Sequence, residues 1–103
     1  MDIDDYQIEA VKTAMYEDSF YPIASLMVEA AELADVFIKP CLRGDAVDIN
    51  HKSVLYEAGD VLWNLANICE DAGIRLSDVA QYNLDKLRDR QQRGVIQGSG
   101  GDR

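Results

Sequence analysis

Residues 57–71, Glu57-Ala58-Gly59-Asp60-Val61-Leu62-Trp63-Asn64-Leu65-Ala66-Asn67-Ile68-Cys69-Glu70-Asp71, decide the fold. Their apolar positions recur at helical rather than alternating spacing. At about 100° per residue, Glu57, Asp60, Asn64, Asn67 and Asp71 share a stripe about 80° wide. Val54, Leu55, Val61, Leu62, Leu65, Ile68 and Cys69 fill the opposite arc. This periodicity predicts a helix from about His51 to Ala72, with Asn50 as its N-cap and Gly73 as the residue that ends it. The apolar arc spans about 160°, more than one neighbouring helix covers, so a subunit partner is expected.

Three further segments carry the same period. Ile3, Tyr6, Ala10, Val11 and Ala14 form a stripe that predicts a helix from Ile3 to Tyr16, with Asp2 as N-cap. A second helix is expected to open near Pro22, a favourable first-turn residue, and to kink or end at Pro40. A fourth is expected after Ser77 as N-cap and runs to about Gln92. No stretch alternates over a strand length. The pattern predicts an all-α fold, an antiparallel four-helix bundle. The helical domain is assigned to residues 1–93 and a Gly-rich tail, expected to pack on the rest of the protein, to residues 94–103.

A chain of 103 residues holds one domain at most. Ten basic and 19 acidic residues leave a net charge of −9, which disfavours nucleic-acid binding through a basic surface. No apolar run reaches the roughly 18 residues needed to span a bilayer, and the acidic Met1-Asp2-Ile3-Asp4-Asp5 start is unlike a secretory leader. Cys41 and Cys69 have no zinc-type spacing and read as reduced core thiols of a cytoplasmic protein. His51, the lone histidine, reads as a helix-start residue without a catalytic part. A metal site would therefore be built from carboxylates, whose hard oxygens suit Mg²⁺ or Mn²⁺.

Carboxylates do recur at the right spacing. Glu29 and Glu32 are three apart on the second helix, and Glu57 and Asp60 are three apart on the third. Residues so spaced are neighbours on one face, so two antiparallel helices would converge four carboxylates. Charged helix faces ordinarily face water. Here Val36 lies inside the acidic strip, and no base on the third helix relieves its aligned acids, so a divalent cation would be wanted. The fourth helix aligns Asn83, Lys86 and Arg90, groups suited to phosphate and sugar oxygens. Residues 1–76 hold 15 acids and 5 bases, whereas residues 77–103 hold 4 acids and 5 bases. An acidic metal end and a basic phosphate end suit a nucleotide. No Gly-rich loop precedes a Lys-Ser or Lys-Thr, so a P-loop is absent. A di-iron site lacks its Glu-x-x-His pairs.

Glu29-Ala30-Ala31-Glu32, followed after 24 residues by Glu57-Ala58-Gly59-Asp60, resembles the Glu-x-x-Glu … Glu-x-x-Asp signature of MazG-like nucleotide pyrophosphohydrolases. The text around it is similar too. Residues 57–66 resemble that family's metal-binding helix and Asn83-Leu84-Asp85-Lys86-Leu87-Arg88-Asp89-Arg90 its last helix. Tyr6-Gln7 and Thr13 resemble the opening of its small single-domain members, and residues 93–100 the tail of a small-protein subset.

The resemblance implies an all-α dimer or dimer of dimers, a homodimer or homotetramer. It also implies Mg²⁺-dependent cleavage of a nucleoside triphosphate between its α and β phosphates. It places Mg²⁺, for which Mn²⁺ could substitute, on Glu29, Glu32, Glu57 and Asp60, and the triphosphate on Asn83, Lys86 and Arg90. Val28 stands where some members carry a further Glu, which leaves Glu32 or Glu29 as general base. Trp63 is a candidate to stack on the nucleobase, although a core or interface Trp is the commoner use. Asn64 is a candidate to read base or sugar. The alternative is a helical dimerisation module that has kept the fold without the activity; four intact carboxylates speak against it.

Overall fold

The computed structural model describes residues 1–46 and 51–94. Among these it has four helices: α1 (Ile3–Lys12), α2 (Phe20–Leu42), α3 (His51–Asp71) and α4 (Leu76–Arg93). The fold is all-α, as the periodicity predicts. No described helix is long and apolar enough to cross a membrane. Asn50 and the residues from Val95 onward, with the expectations placed on them, lie outside the described residues, as does the His51 side chain.

Four boundaries differ from the sequence reading, each for a visible reason. α1 stops at Lys12, not Tyr16, because Thr13 caps it: the Thr13 hydroxyl donates to Ala10 O at 2.7 Å. α2 starts at Phe20, which puts Pro22 inside the first turn, where its missing N–H costs nothing. It also continues through Pro40 to Leu42. Pro40 falls in the last turn, and Arg43 N–H still reaches Lys39 O at 3.2 Å while Asp45 N–H closes on Pro40 O at 2.9 Å. Finally, Ser77 is not the cap of α4. That helix starts at Leu76, and its open N–H at Ser77 is taken by a carboxylate from α1. Gly73 ends α3 in the left-handed region at φ 72°, as expected.

The longest contact is between α2 and α3, which run antiparallel: Tyr21 lies at the level of Trp63, and Glu29 at the level of Glu57 and Asp60. α1 packs across α3, and α4 packs on α1 and α3. The buried core is small, made of Ala10, Ala66, Cys69 and Leu76 with Tyr6, Leu62 and Trp63 against it.

α3 buries part of its polar stripe together with part of its apolar arc, Leu62 and Cys69. Asn64 and Asn67 are each 1% exposed, whereas Leu55 is 74% exposed. The polar stripe points into the protein and part of the apolar arc points out.

Side chains of α1 tie the chain ends of α3 and α4 together. The buried Gln7 amide donates to Ile74 O at 2.9 Å and to Glu70 Oε1 at 3.2 Å, and its Oε1 accepts from Leu76 N–H at 2.7 Å. One turn earlier, Asp4 accepts from Ser77 N–H at 3.0 Å and from the Ser77 hydroxyl at 2.6 Å. These two hydrogen bonds, chiefly the hydroxyl one, hold the Asp4 carboxyl below its ordinary value of 3.8.

Two outcomes follow from this clamp. Gln7→Ala strands the buried Leu76 N–H and should lose about 2 kcal/mol in urea denaturation. Glu9→Ala, which removes only the exposed pair with Lys12, should lose under about 0.5 kcal/mol. A depressed carboxylate contributes stability above its unfolded pKa and loses it as pH falls through the folded one. Asp4→Asn should therefore melt below wild type at neutral pH, and the gap should close below pH 3.8.

Candidate active site

Helix α2 contributes Glu29, and α3 contributes Glu57 and Asp60, three residues apart and so on one face. One oxygen from each of these three carboxylates lies within 4.8 Å of the others, and all three side chains are half-buried. Removal from water is the largest cause that raises the Glu29 carboxyl above its usual range. The charges of Asp60, Glu57 and Glu32 and a hydrogen bond with Asp60 add to it. Such mutual repulsion is what a divalent cation relieves, and three hard oxygen donors fit Mg²⁺ or Mn²⁺. Glu32 is exposed and stands outside the trio, close enough for its charge to reach Glu29.

Asn64 and Asn67 continue the stripe toward the C-terminal end of α3. Their Nδ2 groups donate to Asp60 O and Trp63 O, each at 2.9 Å, which fixes the amide orientations. Asn67 Oδ1 accepts from the Tyr16 hydroxyl at 3.2 Å. Asn64 Oδ1 is buried and has no partner in the structure.

Trp63 donates from Nε1 to Thr13 Oγ1 at 2.8 Å and meets Tyr16 edge-on, ring centroids 6.2 Å apart. Tyr16 in turn stacks on Tyr21 at 5.8 Å. With Thr13 and Met15 these rings line a cavity of about 390 Å³. Asn64 is not part of its wall. The Tyr16 phenol is pushed up to about 12, first by burial and then by the hydrogen bond and charge of Asp71 and the charge of Glu70. On the other side of the trio, Lys52, Ser53, Tyr56 and Glu57 line a cavity of about 250 Å³.

Two members of the basic stripe of α4 face a separate hollow. Asn83 and Lys86 line a groove of about 400 Å³ with Ile74, Asp78, Val79 and Tyr82, none of them a member of the trio. Arg90 is buried, at 7% exposure.

Sequence reasoning missed Thr13, Tyr16 and Tyr21 as cavity walls, and Lys52, Ser53 and Tyr56 beside Glu57. Ser53 had a signal: it lies four before Glu57 and seven before Asp60, hence on their stripe. Tyr16 and Tyr21 had none, since the path of residues 13–19 places them. Tyr6 was read as part of the apolar stripe and of the family-like opening Tyr6-Gln7, not as a site residue. Its phenol is raised by burial and by the Asp60 charge, so it too lies near the trio.

The helices and the carboxylate trio together define an all-α protein with a candidate metal site built from carboxylates. Residues 22–95 match the model of the MazG nucleotide pyrophosphohydrolase domain. The chain belongs to that family. It is also similar to the Gene 37 protein of Mycobacterium phage L5, with 39% identity over 115 aligned positions and 100% of both chains covered. No solved structure matches the chain.

The trio makes a sign-specific prediction. A carboxylate raised by its neighbours weighs against folding as pH rises through its shifted pKa, so apo stability through Glu29 is greater on the acid side. Asp60→Asn removes one neighbouring charge and should raise the melting temperature without added metal at pH 7. The same variant should lose most of the melting-temperature rise that millimolar Mg²⁺ gives wild type. Paired melts with Mg²⁺ or with chelator check both.

Proposed function

We propose that the protein is a Mg²⁺-dependent nucleoside triphosphate pyrophosphohydrolase that releases a nucleoside monophosphate and pyrophosphate. The observation that carries this reading is the convergence of Glu29, Glu57 and Asp60 within 4.8 Å. The same trio argues against an inactive dimerisation module.

The order of features along α3 supports the substrate class. Trp63 and its aromatic cavity lie on one side of Asp60 and Glu57, and Lys52 and Ser53 on the other. Trp63 and Lys52 are 11 residues apart, about 16 Å along a helix axis. A base against the rings, an α-phosphate at the carboxylates and the outer phosphates toward Lys52 fill that row in sequence. Every base has a face to stack, so the rings hold a base without requiring one kind.

The chain's residues divide the work. Glu29, Glu57 and Asp60 would hold Mg²⁺, which when bound lowers the pKa of a water and offsets phosphate charge. Glu32, exposed and outside the trio, takes the proton of the attacking water. Water oxygen bonds to the α-phosphorus, the bond from that phosphorus to the bridging oxygen breaks, and pyrophosphate leaves with the electron pair. Lys52 and the Ser53 hydroxyl steady the charge that develops on the leaving group. Asn64 holds the α3 backbone at Asp60 through its bond to Asp60 O.

The test is product analysis on four deoxynucleoside triphosphates with Mg²⁺. Monophosphate and pyrophosphate should appear in equal amounts; inorganic phosphate with diphosphate, or no turnover on any of the four, would sink the proposal. Asp60→Asn should be inactive yet as helical as wild type. Tyr21→Ala removes one exposed ring from the cavity wall and should raise KM roughly tenfold with kcat little changed, which corresponds to about 1.4 kcal/mol of stacking.

A further inference from the structure

We infer that the aromatic cavity prefers nucleotides whose base carries a positive charge, the class formed when a ring nitrogen of the base is alkylated. The inference rests on the proposed hydrolase reading, which seats a base in that cavity, and adds to it a rule of selection by charge.

The first ground is the walls. Tyr16 and Tyr21 are nearly parallel, with 20° between their planes, and Trp63 stands at 81° to Tyr16. Two ring planes therefore meet almost at a right angle and, with Thr13 and Met15, enclose about 390 Å³. The face of an aromatic ring is the negative part of its quadrupole. A cation seated against such a face is attracted, most strongly by indole, where a neutral body only stacks. The rings are also held in place. Trp63 Nε1 donates to Thr13 Oγ1 at 2.8 Å, and the Tyr16 hydroxyl donates to Asp71 Oδ2 at 3.0 Å. A phenol that donates to a carboxylate gains electron density in its ring, which deepens the attraction for a cation.

The second ground is charge. Residues 13–21 and 60–71, which supply every wall of the cavity, hold five acids, Glu17, Asp18, Asp60, Glu70 and Asp71, and no Lys or Arg. Lys12, next to Thr13, is paired with Glu9 at 3.1 Å. The charges of Asp71 and Glu70 both act on the Tyr16 phenol, so their field reaches the cavity wall. Mg²⁺ at the trio would offset Asp60 and leave the other four acids to the cavity.

An ordinary nucleobase is neutral at pH 7. It gains stacking in this corner and nothing from the acids around it. A base methylated at N1 of adenine or N3 of cytosine is a cation at the same pH and gains both. The rings thus set no rule of base identity, whereas the acids set one of base charge.

Trp63 is the sole tryptophan of the chain, so its fluorescence reports occupancy of the cavity without turnover, phosphate or metal. The protein is titrated at pH 7 with adenosine, with 1-methyladenosine, and with N6-methyladenosine, which carries the same methyl without the charge. 1-Methyladenosine should bind about tenfold more tightly than either, which corresponds to about 1.4 kcal/mol. 3-Methylcytidine should exceed cytidine in the same sense. Asp71→Asn keeps an acceptor for the Tyr16 hydroxyl and removes only the charge, and should cut the ratio about threefold. The exposed Glu17→Gln, which makes no hydrogen bond across the fold to lose, should cut it in the same direction. With Mg²⁺, the triphosphate of 1-methyladenosine should show a kcat/KM about tenfold above that of ATP, carried by KM. Equal binding of 1-methyladenosine and N6-methyladenosine overturns the inference. So does a ratio that neither charge variant moves, or failure of every nucleoside to alter the Trp63 emission. A chain that shows the ratio but cleaves no triphosphate strikes the hydrolase reading alone. One that releases pyrophosphate yet binds charged and neutral bases alike strikes this inference alone.

Discussion

The seam between α2 and α3 buries a polar stripe, and the rest of the molecule follows from that constraint. Burying amides is unfavourable unless they are paired. Here Asn64 and Asn67 donate to carbonyls one turn back on their own helix, and Asn67 accepts from Tyr16. With those amides inside, the helical period sets Asp60 and Glu57 inward as well, opposite Glu29. It also turns Leu55 outward, toward solvent. The acidic cluster and the exposed apolar surface are therefore two sides of one choice of helix rotation.

The first helix is what makes that choice stable. Ten residues are too few for an isolated helix to persist in water. α1 is held instead by side chains that reach across the fold. Asp4 caps α4, Gln7 fills three hydrogen bonds at the turn between α3 and α4, and Thr13 accepts from Trp63. The same residues set the aromatic cavity, because Thr13 orients the indole and the segment after it delivers Tyr16. A clamp that fixes the fold at one end thus shapes a candidate base site at the other.

Much of this was legible in the residues. The four helices, the left-handed turn at Gly73 and the approach of Glu29 to Glu57 and Asp60 all follow from period and spacing. The failures at the core and the site share a cause: they depend on which face of a helix another element covers. Periodicity separates polar from apolar faces but assumes that the apolar one goes inside, and on α3 that assumption fails at Asn64 and Leu55. Local signals also favoured Ser77 as a cap, when the capping oxygen comes from Asp4, 73 residues away in sequence. Lys86 and Arg90 share a stripe, yet one lines a groove and the other is buried. A stripe on one helix says nothing about the partner it meets.

Charge ties the proposed chemistry together. A chain with a net charge of −9 repels a triphosphate at long range, and three close carboxylates repel it at short range. A divalent cation at the trio reverses the short-range term. Cation and nucleotide must then favour each other's binding, and by linkage each strengthens the other by the same factor. The excess of acid over base on residues 1–76 thus works as selection rather than as an obstacle. A polyanion without its cation is turned away, whereas the same polyanion with a cation meets carboxylates that need its charge.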